Sequence, residues 1–341
     1  MVVRWWCRPA GRARVGGMAS AVAWSWRNAL HGAVLGVPAG IAMLADPVDG
    51  FMTGLTLAVG VLPAAGLGVA ATRPQRARGL VIGAIAAAAI FVGSVIGRMP
   101  ALAVCVIFVL CVAVALLAAD RSRRLATPVL VLGLPLIGVG LSFASIGEGA
   151  GAALLILAGT VYAFLVSLLW PARECAVRPV APPATRGAML VYGIQIGIAG
   201  ALAAACGFAL GVDHPGWACV AALMVSRPAH AALVSRGWGR ALSVLIGAVL
   251  ALAVAALSPP PAVFAVILVV VLTAATGTAG SRWYVFPLFS TVIVLSLLMG
   301  PEGEAPAHWF LERLGMTLLG IALAFAAAAV VPRVAARLRR S

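Results

Sequence analysis

Apolar residues run along this chain in blocks of about twenty, and short stretches holding most of the arginines separate them. GLVIGAIAAAAIFVGSVIG from Gly79 and PALAVCVIFVLCVAVALLAA from Pro100 carry no charge at all. Each approaches the ~20 residues that a helix needs to cross a bilayer core of ~30 Å. Twelve such spans are predicted, near 28–45, 51–71, 79–97, 100–119, 126–146, 150–170, 188–211, 215–235, 238–257, 260–277, 282–299 and 313–331. The predicted fold class is all-α: a polytopic membrane protein of about 12 transmembrane helices.

The polar positions then set the topology. With the N-terminus in the cytoplasm, alternating loops place 22 arginines inside and only Arg98 and Arg313 outside. Asp46, Asp49, Glu148, Asp213, Glu302, Glu304 and Glu312 sort to the outside, and Asp120 and Glu174 to the inside. Basic residues favour cytoplasmic loops, so both termini are expected inside a cell (inner or plasma) membrane.

An internal repeat organises the spans. RARGLVIGAIAAA from Arg76 aligns with RALSVLIGAVLAL from Arg240 at an offset of 164, which also relates Asp49 to Asp213 and Gly83 to Gly247. The boundaries that follow are a basic cytoplasmic arm at 1–27, a first six-helix repeat at 28–170, and a Pro/Arg-rich linker at 171–187. A second repeat at 188–332 and a basic tail at 333–341 complete the chain. Six is even, so both halves enter the membrane in the same direction, a parallel repeat of the kind transporters use. The arm lacks a clean apolar core followed by a cleavage site, so no signal peptide is expected, and translation starts at Met1 or Met18.

Composition narrows the chemistry. Hydrophobic residues make up 63% of the 341 and charged ones 10%, against roughly 25% charged in soluble domains. The net charge of +15 comes from arginine alone, with no lysine anywhere. These arginines lie between apolar blocks and form no continuous basic face, which argues against a nucleic-acid partner. Without lysine a Walker A motif cannot exist, so this chain does not itself couple ATP. The six cysteines include no CxxC pair, and the four histidines (His31, His214, His230, His308) are widely spaced. No metal site, cofactor or catalytic constellation is expected, and the chain is not read as an enzyme.

Residues 213–230, DHPGWACVAALMVSRPAH, break the pattern. From Pro215 to Ser226 there are twelve uncharged residues, about 18 Å of helix, too short to cross the core. If the span runs on to Val234 or Ser235, Arg227 and His230 lie within the membrane and Pro228 breaks or kinks the helix. The same offset takes Arg227 to Pro63, so both halves interrupt their second span. Matching interruptions are the sequence pointer to a transporter's binding site. Arg227 therefore has two readings, as a partner for a substrate carboxylate or as an arginine snorkelling to the interface.

The same region carries a family resemblance. HPGWACVAALMVSRPAHAALVSRGWGRALSVLIGA resembles the fusaric-acid-resistance (FUSC) or aromatic-acid-exporter family through Trp217, Pro228, Arg236, Arg240, Gly247 and Ala248. The closing RLGMTLLGIALAFAAAAVVPR is similar to that family's last helix through Arg313, Thr317, Gly320 and Pro332. Ser243-Val244 replaces the family's Gly-Thr pair, and Arg227 stands where a neutral polar residue is usual. The resemblance implies export of small organic anions, aromatic carboxylic acids among them, driven by the proton or electrochemical gradient. An organic-anion channel on the same scaffold and a non-transporting membrane subunit in envelope assembly are the alternatives.

The candidate anion-binding set is Arg227, His230, Trp217, Gln195, Arg236 and Arg240. Arg236 and Arg240, one helical turn apart, read either as an anchor pair or as an electropositive vestibule. Asp213 and His214 are the candidate proton-coupling pair, with a plain loop cap as the other reading. Small-residue stripes (Gly32, Gly36, Gly40; Gly193, Gly197, Gly200; Gly247, Ala251) read as helix-packing faces or as a lumen lining. Polar residues within spans, such as Gln195, Thr276 and Thr291, read as interhelical bonds or as pathway groups. The expected partners are the anion and the lipid bilayer, and a homo-oligomer is left open.

Overall fold

A computed structural model describes residues 22–46, 49–120, 122–173, 184–299 and 305–338. The start at Met1 or Met18, Cys7, Arg121, most of the linker with Glu174, Cys175 and Arg178, the acids Glu302 and Glu304, and Arg339 and Arg340 lie outside the described residues. Among the described residues the chain forms twelve helices and no strand. Eight are long and apolar enough to cross a membrane: α1 (Trp26–Ala45), α2 (Gly50–Leu67), α3 (Arg73–Ile96), α4 (Pro100–Ala118), α6 (Ile146–Ser167), α7 (Arg186–Ala209), α9 (His230–Leu257) and α12 (Pro306–Leu338). Four are shorter: α5 (Ala126–Gly140), α8 (Gly216–Val225), α10 (Pro261–Gly277) and α11 (Phe286–Leu298).

Local chemistry sets the boundaries. Hydroxyl side chains accept the otherwise unpaired first-turn N–H groups: Ser25 from Asn28, Ser145 from Glu148, and Thr185 from Ala188. Thr72 and Gln75 form a reciprocal capping box at the start of α3. Prolines open α4, α10 and α12, where a missing N–H costs nothing. A π-helical turn at Val129–Gly133 runs into Pro135 in α5, accommodating a residue that cannot donate to the ladder. Gly68 closes α2 at φ +62, a conformation that glycine adopts without a Cβ penalty.

Large apolar side chains cover the outside as well as the core. Leu154, Val266 and Leu311 are each more than 60% exposed, and such residues recur on most of the helices. A water-facing surface of that kind would far exceed the apolar patches that soluble monomers tolerate, so the surrounding solvent is hydrocarbon.

The helices pair in matching sets. α1 packs along α10 and α4 along α7; α3 packs on α6 and α9 on α12; α2 packs on α6 and on α11, and α8 on α12 and on α5. Small residues make these approaches possible. A Cβ on Gly32 would press on Thr276 and Leu272 of α10, and one on Gly193 on Val112 and Ala115 of α4. Those two stripes are helix-packing faces.

The loops gather at two ends. At one, Arg27 and Arg76 donate to the Pro171 carbonyl, the Arg173 N–H to Ala71, and the Ser25 N–H to Gly277. At the other, Arg98 donates to the Ala144 carbonyl and the Gly216 N–H to Ser142.

The span expected at 215–235 has a different form. Helix α8 stops at Val225, residues 226–229 leave the helix and bend at 228–229, and α9 begins at His230 rather than near 238. Proline at 228 disfavours helical backbone at Arg227 before it, which ends α8 early. Its expected counterpart is not interrupted at Pro63, since α2 continues through that residue to Leu67. The last helix begins at Pro306 and continues beyond the expected 331 to Leu338.

Candidate functional site

The interrupted segment sits inside the bundle. Ser226 has no solvent exposure, and its backbone has left the helix at φ −55, ψ 126. Its carbonyl would be costly to bury unpaired, and it accepts from the Tyr192 hydroxyl at 3.1 Å and from Arg227. The Ser226 hydroxyl turns back to the Ala222 carbonyl at 2.7 Å.

Two arginines flank the short helix. Arg240 lies ten residues into α9, about 15 Å from its start, and Arg313 seven residues into α12, about 10 Å from its own. The two helices enter from opposite ends, so these depths bring both residues toward the middle of a ~30 Å core. The two guanidiniums are close enough to interact electrostatically. Both side chains are buried, with exposures of 4% for Arg240 and 8% for Arg313.

Neither has a carboxylate partner among the described residues. Arg240 points one Nη at the Met224 sulfur, 3.4 Å away and a weak acceptor, while its Nε has no partner. Arg313 lies over the Trp217 ring, 4.6 Å from its centroid, and its Nε is likewise unpaired. The buried hydroxyls of Thr291 and Thr317 and the amide nitrogen of Gln195 have no hydrogen-bond partner either. Buried charge without an opposite charge is expensive in any apolar medium, and within membranes it marks functional positions.

The other predicted groups fall into two sets. Arg227 and Arg236 lie at the end of α8 near Tyr192, with Arg236 donating to the Met224 carbonyl and covering the Trp283 ring at 4.6 Å. His230 is exposed at the start of α9. Asp213 and His214 sit at the opposite end of α8. There His308 lies 2.7 Å from Asp213, while Glu312 accepts from the His214 N–H at 2.8 Å and faces its ring at 3.4 Å. His214 stacks on Trp217 at 4.2 Å, so the Asp213–His308–Glu312–His214 network ends on the ring that Arg313 covers.

Sequence reasoning missed Arg313, Glu312 and His308 as site residues. Arg313 and Glu312 were assigned to an outer loop, yet both lie in α12 and face the bundle. His308 and Glu312 are four apart, one helical turn, and that spacing was the available signal. Thr273, Thr276 and Ser290 bond to carbonyls of their own helices, which is a local role.

Residues 185–327 match the family described as fusaric acid resistance protein-like. That stretch runs from the start of α7 into α12 and includes every residue of the arginine site and of the Asp213 network. No curated protein and no solved structure matches the chain.

Proposed function

We propose that the chain is a membrane exporter of small organic anions, with Arg240 and Arg313 as the pair that binds the substrate carboxylate. One observation carries the reading: two buried guanidiniums lie within electrostatic range of each other beside an interrupted helix, with no carboxylate among the described residues to neutralise them. A carboxylate supplies two acceptor oxygens in the geometry a guanidinium prefers, and it removes the repulsion between the cations. Arg227 and Arg236 line the approach from the end of α8, where positive charge collects anions. Trp217 holds Arg313 over its ring and so positions that cation for the carboxylate.

Topology and coupling complete the proposal. The helices form two parallel six-span repeats, α1–α6 and α7–α12, supported by the pairings described above, each of which recurs between the helices six places later. The loop end holding Arg27, Arg73, Arg76, Arg123, Arg124 and Arg173 is cytoplasmic, by the preference of arginine for that side. The Asp213–His308–Glu312–His214 network then lies at the outer mouth and couples flux to the proton gradient.

Proteoliposomes loaded with aromatic and aliphatic acids test the reading. Arg240→Gln and Arg313→Gln should each lower flux at least ~10-fold, since a charge-assisted pair contributes ~1.5–3 kcal/mol and ~1.4 kcal/mol is a factor of ten. Asp213→Asn should leave protein abundance normal and flatten the dependence of flux on pH. Near-normal flux in both arginine variants would sink the assignment of the site. Wild-type pH dependence in Asp213→Asn and in His214→Gln would remove the network from coupling.

A further inference from the structure

The outer end of the arginine site has a second chemistry. Asp213, His308 and Glu312 each bring one donor atom to within 4.8 Å of the other two. His308 Nε2 is 2.7 Å from the aspartate oxygen and 3.5 Å from the glutamate oxygen. We infer that these three residues bind a borderline divalent cation of the Zn2+ class, held between the loop before α8 and the first turns of α12.

The donor set fits such an ion. Zinc takes nitrogen and carboxylate oxygen at ~2.0–2.2 Å, which puts tetrahedral donors about 3.4 Å apart. The spacings above bracket that value, so closure needs movements of well under a side-chain rotamer change. An imidazole among the ligands disfavours Mg2+ and Ca2+, which take oxygen donors.

Glu312 supplies an independent pointer. Its side chain is 5% exposed, and its two oxygens are treated differently. Oε1 accepts from the His214 N–H at 2.8 Å and faces the His214 ring, while Oε2 is buried without a hydrogen bond. Fixing one carboxylate oxygen so that the other is presented is how outer groups orient a metal ligand. Trp309 holds the imidazole edge-on, with ring centroids 4.9 Å apart. Three ligands leave a fourth position open toward solvent, because Asp213 and His308 are both about half exposed.

The ion would cross-link α12 to the segment that starts α8, next to Trp217 and Arg313. Its effect on transport rests on the function proposed above, but its binding does not, so binding is measured directly. Titrating the purified full chain in detergent with ZnCl2 in a calorimeter should give one saturable site per chain. The same ion should raise the unfolding temperature, while MgCl2 should not. His308→Ala and Asp213→Asn should each weaken Zn2+ binding at least ~10-fold, the low end for loss of a ligand-sphere group. Their unfolding temperatures in EDTA should match the wild type. Arg98→Gln, at the same end of the bundle, should bind as wild type. No saturable Zn2+ binding in the wild type would overturn the inference. So would binding retained within threefold in both His308→Ala and Asp213→Asn, which are partly exposed positions and do not threaten the fold. If Zn2+ binds as expected but flux is indifferent to it, the site stands and only its link to transport falls.

Discussion

Arg76 and Arg240 are related by the 164-residue sequence offset, yet removing Arg76 should cost stability where removing Arg240 should not. Arg76 is 5% exposed and donates to five carbonyls: Ala70 at 3.0 Å, Ser167 and Trp170 at 2.7 Å, Pro171 at 2.9 Å, and Ala71 at 3.5 Å. Four of those are good hydrogen bonds to a charged donor, each contributing ~1.5–3 kcal/mol in isolation and less when removed together. Arg76→Met strands these carbonyls and should destabilise the protein by ~3–5 kcal/mol, as for other broken buried charge networks. At ~2 °C per kcal/mol for a large chain, that is a fall of about 6–10 °C in Tm. Arg240 loses only a thioether contact at 3.4 Å and an unpaired Nε. Replacing a poorly paired buried charge by an apolar side chain of similar length is neutral or stabilising by ~1–4 kcal/mol. Arg240→Met should therefore hold or raise Tm while losing anion binding. Tryptophan-fluorescence melting of both variants in detergent, with and without benzoate as a probe anion, reads out the pair. A fall in Arg240→Met as large as in Arg76→Met would show that Arg240 is structural and would refute the reasoning.

Two further outcomes follow from the packing and the charge distribution. A Cβ on Gly320 would run into the Ala218 carbonyl, and one on Gly159 into the Gly60 carbonyl. Gly320→Val should cost at least ~1–3 kcal/mol through overpacking of α12 on α8, seen as a lower Tm, whereas Gly315→Ala, with open space around it, should not. For topology, a cysteine placed at exposed Arg123 in a cysteine-free background should be protected from an impermeant thiol reagent in intact cells, and one at exposed Gly147 should label. Labelling at position 123 would reverse the proposed orientation.

The helical, membrane-embedded character of the chain was legible because hydrocarbon imposes it: uncharged blocks such as 100–119 have no other stable form in a lipid core. The break near Pro228 was legible for an equally local reason, since proline constrains its own backbone and that of Arg227. Depth and partners were not legible. Arg240 reads from sequence as one of a pair near the loop, an anchor or an electropositive vestibule, because it follows Arg236 closely, but α9 starts at His230 and carries it into the core. Arg313 reads as an outer-loop residue because its apolar block begins after it, while α12 in fact starts seven residues earlier, at Pro306. Asp213 and His308 lie 95 residues apart, and no spacing rule connects them until α12 packs beside α8.

One structural difference separates Arg76, which is fully engaged by carbonyls, from Arg240 at the 164-residue offset, which is not. Arg76 is satisfied because α6 ends at Ser167: the Trp170 and Pro171 carbonyls lie beyond the helix, the Ser167 carbonyl carries only a turn bond from the Trp170 N–H, and all three accept from Arg76. The repeat offset carries Ser167 to Val331 and Trp170 to Val334. In the second half those positions are still helical, because α12 continues to Leu338 with no comparable end. Carbonyls inside a helix are already committed to N–H groups four residues on, with the Ala328 carbonyl excepted because Pro332 has no N–H, and Arg240 turns to the Met224 sulfur instead. Extending the last helix thus removes the acceptors that neutralise the arginine in the first half. Arg313 then adds a second cation where the first half has Gly149 at the corresponding position. On the proposed reading, the longer α12 is what leaves Arg240 available to an anion. Shortening α12 after Ala327 should therefore free carbonyls near Arg240 and weaken benzoate binding, even with Arg240 and Arg313 both in place; undiminished binding in a folded truncation would show that helix length is not what leaves Arg240 available.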